Sequence, residues 1–425
     1  MSRNSILHDI DTSEKAILVL IEPDEAMRPY ALEELRALAE TAGATVVGDF
    51  YQKRRRPDPA YYIGPGKAEE LHAGIQDLGA DLVIVDSELS PAQVRNLEEA
   101  LKCRVIDRTQ LILDIFGQRA RTREGLLQVE LAQLTYLLPR LGNLYTKFER
   151  QQGGIGVRGG SGETKLETDR RKVRATIGDL EAQIAEVRSQ RQQQRAQRRK
   201  LPFPTAALVG YTSAGKSTLL NKLSGSDVFA DPQLFATLDP TTRRVALDDG
   251  WAILLTDTVG FIRNLPTDLI ASFQATLEET IEADVLLHIV DTSHPHREMQ
   301  QLAVMQVLDE LGVEDKPIIT VFNKCDMVKD DIYLSLLAED TLNSVCISAQ
   351  TGQGLHDLSM HIVSTLKGLL IDVQALLPYN RNDLVAKCYE QGRVDKVDYR
   401  EEGIYLEAHV SHDMASRLQS FRVEV

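Results

Sequence analysis

The feature that most constrains this chain is a glycine-rich loop between an apolar strand and a helical segment. The strand TAALVG enters the loop, TLLNKL follows it, and the loop residues are Gly210, Tyr211, Thr212, Ser213, Ala214, Gly215, Lys216 and Ser217, with Thr218 opening the helix. The spacing G-x-x-x-x-G-K-[ST] between a strand and a helix predicts a phosphate-binding loop rather than a chance turn. It also predicts an α/β fold.

The loop assigns roles to two side chains. Lys216 is expected to reach the β- and γ-phosphates of a nucleotide, and Ser217 is expected to bind Mg²⁺. Backbone N–H groups that the glycines turn inward, together with the positive end of the following helix, would hold the phosphates.

A second motif, Asp257-Thr258-Val259-Gly260, follows another apolar strand. Its carboxylate can hold the Mg²⁺ shell, and the Gly260 N–H can meet the γ-phosphate. Between the two motifs lies FATLDPTTR. We expect Thr237 in this run to bind the metal and sense the γ-phosphate, with Thr241 and Thr242 as alternatives. Lys216, Thr237 and Gly260 are the predicted catalytic set.

Two further motifs predict which base is bound. The strand PIITVF leads into Asn323-Lys324-Cys325-Asp326, and Ser348-Ala349 follows the strand SVCI. Guanine presents two adjacent N–H donors that one carboxylate can accept, and adenine does not, so Asp326 predicts GTP rather than ATP. Lys324 would pack over the base, Asn323 would brace the loop, and a backbone N–H of the Ser348-Ala349 pair would meet the guanine O6.

The residue after Gly260 is Phe261. Many GTPases place there a glutamine that orients the attacking water. Because a phenyl ring cannot do so, the sequence predicts slow intrinsic hydrolysis that a partner, an ion or a rearranged switch accelerates.

The flanking sequence predicts four domains. Residues 1–118 alternate strands and helices as a parallel α/β subdomain, and 119–200 form a long helical hairpin around a glycine-rich tip. Residues 201–368 form the nucleotide domain, and 369–425 a small C-terminal α/β domain. The hairpin is predicted from apolar positions at heptad-like spacing, beginning at Leu127 and Leu131 before Pro139 and including Leu180 and Ile184 after the glycines.

The charge distribution, the cysteines and the apolar runs limit where the protein is expected to act and what it binds. The net charge is −15, yet residues 147–200 hold 14 Lys/Arg against 7 Asp/Glu, so this stretch is a basic segment in an acidic chain. The four cysteines show no C-x-x-C spacing, and no apolar run is long enough to span a bilayer. A cytoplasmic protein without integral membrane association is expected. The charge balance also argues against DNA as a partner.

These residues resemble the HflX family of GTPases. The resemblance rests on GYTSAGKSTL, LFATLDPTTR, DTVGFIRNLP and NKCD, and on PDPAYYIGPGK, TREGLLQVELAQLTYLLPRL and GGIGVRGGSGETKLETDRR outside the nucleotide domain. It implies binding to the large ribosomal subunit and its RNA, and GTP-dependent splitting of idle or stalled ribosomes under stress. We expect the free protein to be a monomer. The expected ribosome-binding residues are Arg158, Arg170, Arg171, Lys172 and Arg174.

One departure from the family concerns the P-loop, where Ser213 replaces the usual asparagine. In relatives that asparagine helps to hold K⁺, so the resemblance does not extend to K⁺ stimulation at this position. Two other functions stay open at this point. One is an RNA-remodelling or RNA-modification GTPase that acts on free RNA, and the other is a regulatory switch that binds protein partners.

Overall fold

The computed structural model describes residues 14–22, 24–142, 161–198, 203–225, 234–264, 266, 274–313, 315–410 and 412–423. The chain divides into two compact units. The first comprises Met1–Val187, Asp231–Asp239 and Asn264–Thr276, and the second comprises Arg188–Ala230, Pro240–Arg263 and Leu277–Val425. The four domain boundaries expected from the sequence stay a prediction.

The first unit contains a four-stranded parallel sheet in the order β2-β1-β3-β4. The strands are β1 (Lys15–Ile21), β2 (Thr45–Gln52), β3 (Leu82–Val85) and β4 (Arg104–Asp107), and the helices between them are α1 (Arg28–Thr41), α2 (Pro65–Leu78) and α3 (Pro91–Leu101). All four residues of β3 are buried, as continuous apolar strands of parallel sheets should be. The alternation predicted from sequence is confirmed.

A fourth helix, α4 (Arg108–Arg119), was not predicted. It begins directly after β4, where the Asp107 carboxylate caps it by accepting the Gln110 N–H at 2.8 Å. Every residue from Leu111 to Phe116 is buried. Five of these six residues are apolar and no face of the stretch is exposed, so it lacks the amphipathic period that marks a surface helix.

Two helices of the expected hairpin follow. Helix α5 (Arg123–Leu137) ends in a 3-10 turn over Leu138–Arg140, so Pro139 interrupts the helix as expected, and α6 spans Ser161–Arg198. The predicted apolar line on α5 is partly wrong. Leu127 and Leu131 are only half-buried, whereas Gly125, Val129 and Ala132 are buried. On α6, Leu180 and Ile184 are buried as predicted.

The second unit contains a six-stranded sheet in the order β10-β9-β8-β5-β7-β6, parallel except for the β6–β7 pair. Its strands are β5 (Thr205–Gly210), β6 (Thr241–Ala246), β7 (Ala252–Asp257), β8 (Val285–Asp291), β9 (Ile318–Asn323) and β10 (Ser344–Cys346). The helices along this part of the chain are α7 (Lys216–Ser224), α8 (Gln274–Glu282), α9 (Arg297–Glu310), α10 (Asp331–Asp340) and α11 (Leu355–Leu369), and α8 begins in the last residues of the first unit. Because parallel strands end at one edge of a sheet, this order gathers the four motifs there.

The C-terminal residues form a three-stranded antiparallel sheet in the order β11-β13-β12. Its elements are β11 (Ile371–Leu377), α12 (Asn382–Gln391), β12 (Gly392–Arg400), β13 (Gly403–Val410) and α13 (His412–Leu418). The small C-terminal α/β pattern predicted from sequence is confirmed.

Candidate nucleotide site

The phosphate-binding loop joins the last residue of β5 to the first residue of α7. Two of its positions require glycine. A Cβ on Gly210 would lie 2.4 Å from the Ile289 carbonyl oxygen, and a Cβ on Gly215, whose φ is +98°, would lie 2.3 Å from Asn323 Nδ2. Both contacts are closer than a side chain tolerates, so these glycines let the loop close tightly over neighbouring strand ends.

Lys216 lies inside this loop. Its ammonium donates to the carbonyls of Gly210 and Tyr211 at 3.0 and 2.9 Å. Burial lowers the pKa of Lys216 to about 8, and the nearby Asp257 carboxylate opposes that shift. The loop therefore holds a cation where the predicted phosphates would lie.

Two of the three predicted protein ligands of Mg²⁺, Ser217 and Asp257, are brought together. Ser217 Oγ donates to Asp257 Oδ2 at 2.6 Å, although the residues are 40 positions apart. A hydroxyl and a carboxylate are hard oxygen donors, which Mg²⁺ prefers, and it usually takes one or two protein oxygens beside those of the phosphates. The residues present fit the ion.

The second motif lies against the phosphate-binding loop. A Cβ on Gly260 would lie 2.9 Å from Thr212 Cα and 3.1 Å from Lys216 Nζ. Gly260 is thus next to the loop lysine, as its predicted contact with a γ-phosphate requires. Thr258 faces inward and donates to the Leu208 carbonyl at 2.6 Å, and Val259 is buried.

The backbone of Phe261 is hydrogen-bonded to the phosphate-binding loop, and its side chain is buried. Its N–H donates to the Gly210 carbonyl at 3.1 Å, its own carbonyl accepts the Thr212 N–H at 2.8 Å, and the residue is 1% exposed. The position that carries a water-orienting glutamine in many GTPases is therefore occupied here by a core residue.

Asn323 joins three of the motifs. Its amide nitrogen donates to the Ala214 carbonyl at 2.8 Å, and its amide oxygen accepts the Ala349 N–H at 2.9 Å. The neighbouring Ser348 is fully buried, and its hydroxyl accepts the Thr351 N–H at 3.1 Å. The expected bracing role of Asn323 is thus visible in its hydrogen bonds, and it ties the phosphate side of the site to the base side.

The base-side loop also places Lys324 and Asp326. Lys324 has a left-handed backbone (φ +64°), which turns the chain sharply after β9, and the exposed Asp326 follows in a short 3-10 helix over Cys325–Met327. Lys324 donates to Asp291 Oδ2 at 2.6 Å. The base contacts assigned to Lys324 and Asp326 stay predictions.

Sequence reasoning missed Asp291 and a contact of Tyr211. Asp291 ends the buried strand β8 and orients Lys324, and the Tyr211 hydroxyl accepts the Arg263 N–H at 2.7 Å. The position of Asp291 could have been predicted, because an acidic residue at the end of an apolar strand is a recognisable sequence pattern. The hydrogen bond between Tyr211 and Arg263 could not have been predicted, because it joins residues 52 positions apart.

The remaining predicted residues belong to the first unit or lie outside the described residues. Thr237 belongs to the Asp231–Asp239 segment of the first unit, so its role as a metal ligand stays a prediction. Arg158 lies outside the described residues. Arg170, Arg171, Lys172 and Arg174 lie on α6.

A tight anion-binding loop, an Mg²⁺-type oxygen pair and a strand-end loop suited to guanine, on a mostly parallel sheet, define a P-loop GTPase. Sequence profiles of known families agree along the chain: "GTP-binding GTPase N-terminal" matches 29–117, "GTP-binding GTPase Middle Region" 119–198, "50S ribosome-binding GTPase" 205–324 and "HflX C-terminal domain" 334–421. The chain belongs to the HflX family of GTPases.

Curated relatives support this over nearly the full length. The chain is 46% identical to a "GTPase HflX" from Lacrimispora saccharolytica over 96% of both chains, and 44% identical to that of Escherichia coli over 92% of both. A solved structure, "crystal structure of SsGBP and GDP complex", is 25% identical over 83% of this chain and 98% of that chain, with a TM-score of 0.48. Among the described residues, no helix has the length and apolar character that crossing a membrane requires.

Proposed function

We propose that this GTPase acts in the cytoplasm, as a monomer when free, on the large ribosomal subunit. GTP binding drives the subunits of idle or stalled ribosomes apart under stress, and hydrolysis releases the protein. Two findings support the partner: the family description matching residues 205–324 is "50S ribosome-binding GTPase", and the relatives share the family over nearly their whole length.

The observation that carries the proposal is the basic segment next to the glycine-rich stretch. On α6 the Lys172 and Arg174 side chains are 73% and 59% exposed, so their charges face solvent. Their partners, Asp169 and Glu167, lie on the same helix at 3.4 and 3.7 Å. Exposed ion pairs of this kind are weak, so phosphate groups of RNA can replace them at little cost.

The nucleotide site suits a switch. Ser217 and Asp257 would hold Mg²⁺, which when bound neutralises phosphate charge, and Lys216 would fix the phosphates. Thr237 would report the γ-phosphate, and Asp326 would select guanine. Since Phe261 is buried, the site itself lacks the usual water-orienting side chain. We expect slow turnover alone and faster turnover with ribosomes.

Sedimentation of intact ribosomes tests the proposal. Wild-type protein with GTP or a non-hydrolysable analogue should shift intact ribosomes towards free subunits, and Arg158→Ala should weaken that shift while GTP affinity stays unchanged. Lys53→Ala, which removes an exposed cation from the N-terminal sheet region, is the control. Ribosomes that stay intact with either nucleotide would overturn the splitting function without touching the nucleotide site.

A further inference from the structure

Two of the four cysteines flank the base side of the nucleotide site. Cys325 lies between Lys324 and Asp326, and Cys346 ends β10 two residues before Ser348. The other two, Cys103 and Cys388, lie in the N-terminal and C-terminal sheet regions. Of the four cysteines, only Cys325 and Cys346 therefore lie within or directly before the two loops that would contact the base.

The backbone brings Cys325 and Cys346 together. In the parallel β9–β10 pair, Cys346 lies opposite Phe322, and beyond the strand the Cys325 N–H donates to the Ile347 carbonyl at 3.1 Å. Both side chains pack in the same small cluster with Val290 and Phe322. Adjacent strand ends and a shared cluster are the arrangement from which a disulfide can form.

The two thiols differ in character. The Cys325 thiol donates to the Phe322 carbonyl at 3.2 Å, and the Cys346 thiol donates to the Leu334 carbonyl at 3.6 Å. The interaction between the two thiols lowers the pKa of Cys346, and the same interaction together with burial raises the pKa of Cys325. Cys346 is half-buried and Cys325 is buried. A more accessible, thiolate-prone cysteine next to a protected thiol is the usual pairing of an attacking and a resolving cysteine. Burial raises the pKa of Cys103 and of Cys388 to about 11, so these two are poor nucleophiles.

We propose that Cys325 and Cys346 form a reversible disulfide on oxidation by hydrogen peroxide, and that this disulfide weakens the binding of guanine nucleotides. The Cys346 thiolate attacks one oxygen of hydrogen peroxide, breaking the O–O bond and releasing hydroxide, and becomes a sulfenic acid. The Cys325 sulfur then attacks that sulfur, and the S–OH bond breaks as water leaves. In total, two thiols and one peroxide give one disulfide and two waters. A dithiol reductant reverses the step.

The disulfide would act on both base-side loops at once. Bonding brings the two sulfurs closer than thiols in contact, so the 3-10 helix Cys325–Met327 and the segment after β10 must shift. That helix carries Asp326, and that segment carries Ala349, whose N–H bonds Asn323 at 2.9 Å. Loss of a single charge-assisted hydrogen bond to the base would weaken affinity about tenfold or more.

Peroxide treatment of the full chain, free of nucleotide, tests this. Wild-type protein should lose two free thiols, yield a peptide linking Cys325 to Cys346 by mass spectrometry, and bind a fluorescent GDP analogue about tenfold more weakly. Dithiothreitol should restore both thiols and affinity. Prior saturation with GDP should slow the oxidation, because the bound base holds both loops in place.

Matched variants isolate the pair. Cys346→Ser should keep its affinity after peroxide, and Cys325→Ala, should it fold, should do the same. The double variant Cys103→Ser/Cys388→Ser should respond as the wild type does. Four thiols that survive peroxide, a linked pair that leaves affinity unchanged, or an equal loss of affinity in Cys346→Ser would each overturn the proposal.

Discussion

At the scale of single residues, we expect base selectivity to depend on the carboxylate of Asp326. A carboxylate only accepts hydrogen bonds, which suits the two adjacent donors of guanine, whereas an amide offers one acceptor and one donor group. Asp326→Asn should therefore weaken GDP binding about a hundredfold and strengthen binding of xanthosine diphosphate, whose ring has a carbonyl in place of the amino group. Titration with fluorescent analogues of both nucleotides measures this, and equal affinities in variant and wild type would remove Asp326 from the site.

His288 gives a pH-dependent prediction at the same scale. It lies in the middle of β8, is 3% exposed, and burial together with the nearby Lys216 cation lowers its pKa to about 4. The folded pKa is below the unfolded value of 6.5, so the unfolded chain binds the proton more readily. Stability is complete above about pH 6.5 and falls by up to about 3 kcal/mol as the pH drops towards 4.

Urea unfolding measured from pH 6.5 to 4 should show this fall in the free energy of unfolding for the wild type. The fall should be smaller for His288→Leu. Other groups also titrate there, so the difference between the two proteins is the quantity to compare. Parallel curves would mean that His288 is not held neutral by the fold.

At the scale of elements, the segment that carries Thr237 is fastened to α5. Asp239 Oδ2 accepts the N–H groups of Arg121 and Thr122 at 3.0 and 2.9 Å, and its other oxygen accepts the Thr122 hydroxyl. Thr122 caps α5, so the carboxylate also meets the positive end of the helix dipole. Nearby, the buried Phe235 packs edge-on against Phe116 of α4, with ring centroids 4.8 Å apart.

Asp239→Asn should loosen this attachment by about 1–2 kcal/mol, because the charge is removed and one oxygen becomes a donor. Hydrogen exchange at 121–126 should speed up, and urea should unfold the chain at lower concentration. Asp249→Asn, which breaks only the exposed pair with Lys367 at 3.1 Å, should change neither. Unchanged exchange in Asp239→Asn would show that these bonds do not hold the segment.

Some contacts between elements could be predicted from the sequence and others could not. The contact between Ser217 and Asp257 followed from motif order, because both residues lie at the carboxyl edge of one parallel sheet. Helix α4 could not be predicted, because every residue from Leu111 to Phe116 is buried and the stretch shows no alternation of apolar and polar positions at helical spacing. The bonds of Asp239 could not be foreseen either, since they join residues 117 and 118 positions apart and no local pattern encodes them.

At the scale of the whole molecule, charge is distributed unevenly, with a basic segment in a chain of net charge −15. In an acidic protein that binds RNA through one basic segment, the salt dependence of RNA affinity should come from the cations of that segment. Arg171→Ala/Lys172→Ala should reduce the slope of log affinity for the large ribosomal subunit against log salt by about 1 for each phosphate that the variant no longer neutralises. Lys53→Ala should leave the slope unchanged. Binding assays over a salt series measure both, and slopes that match the wild type would show that Arg171 and Lys172 neutralise no phosphate.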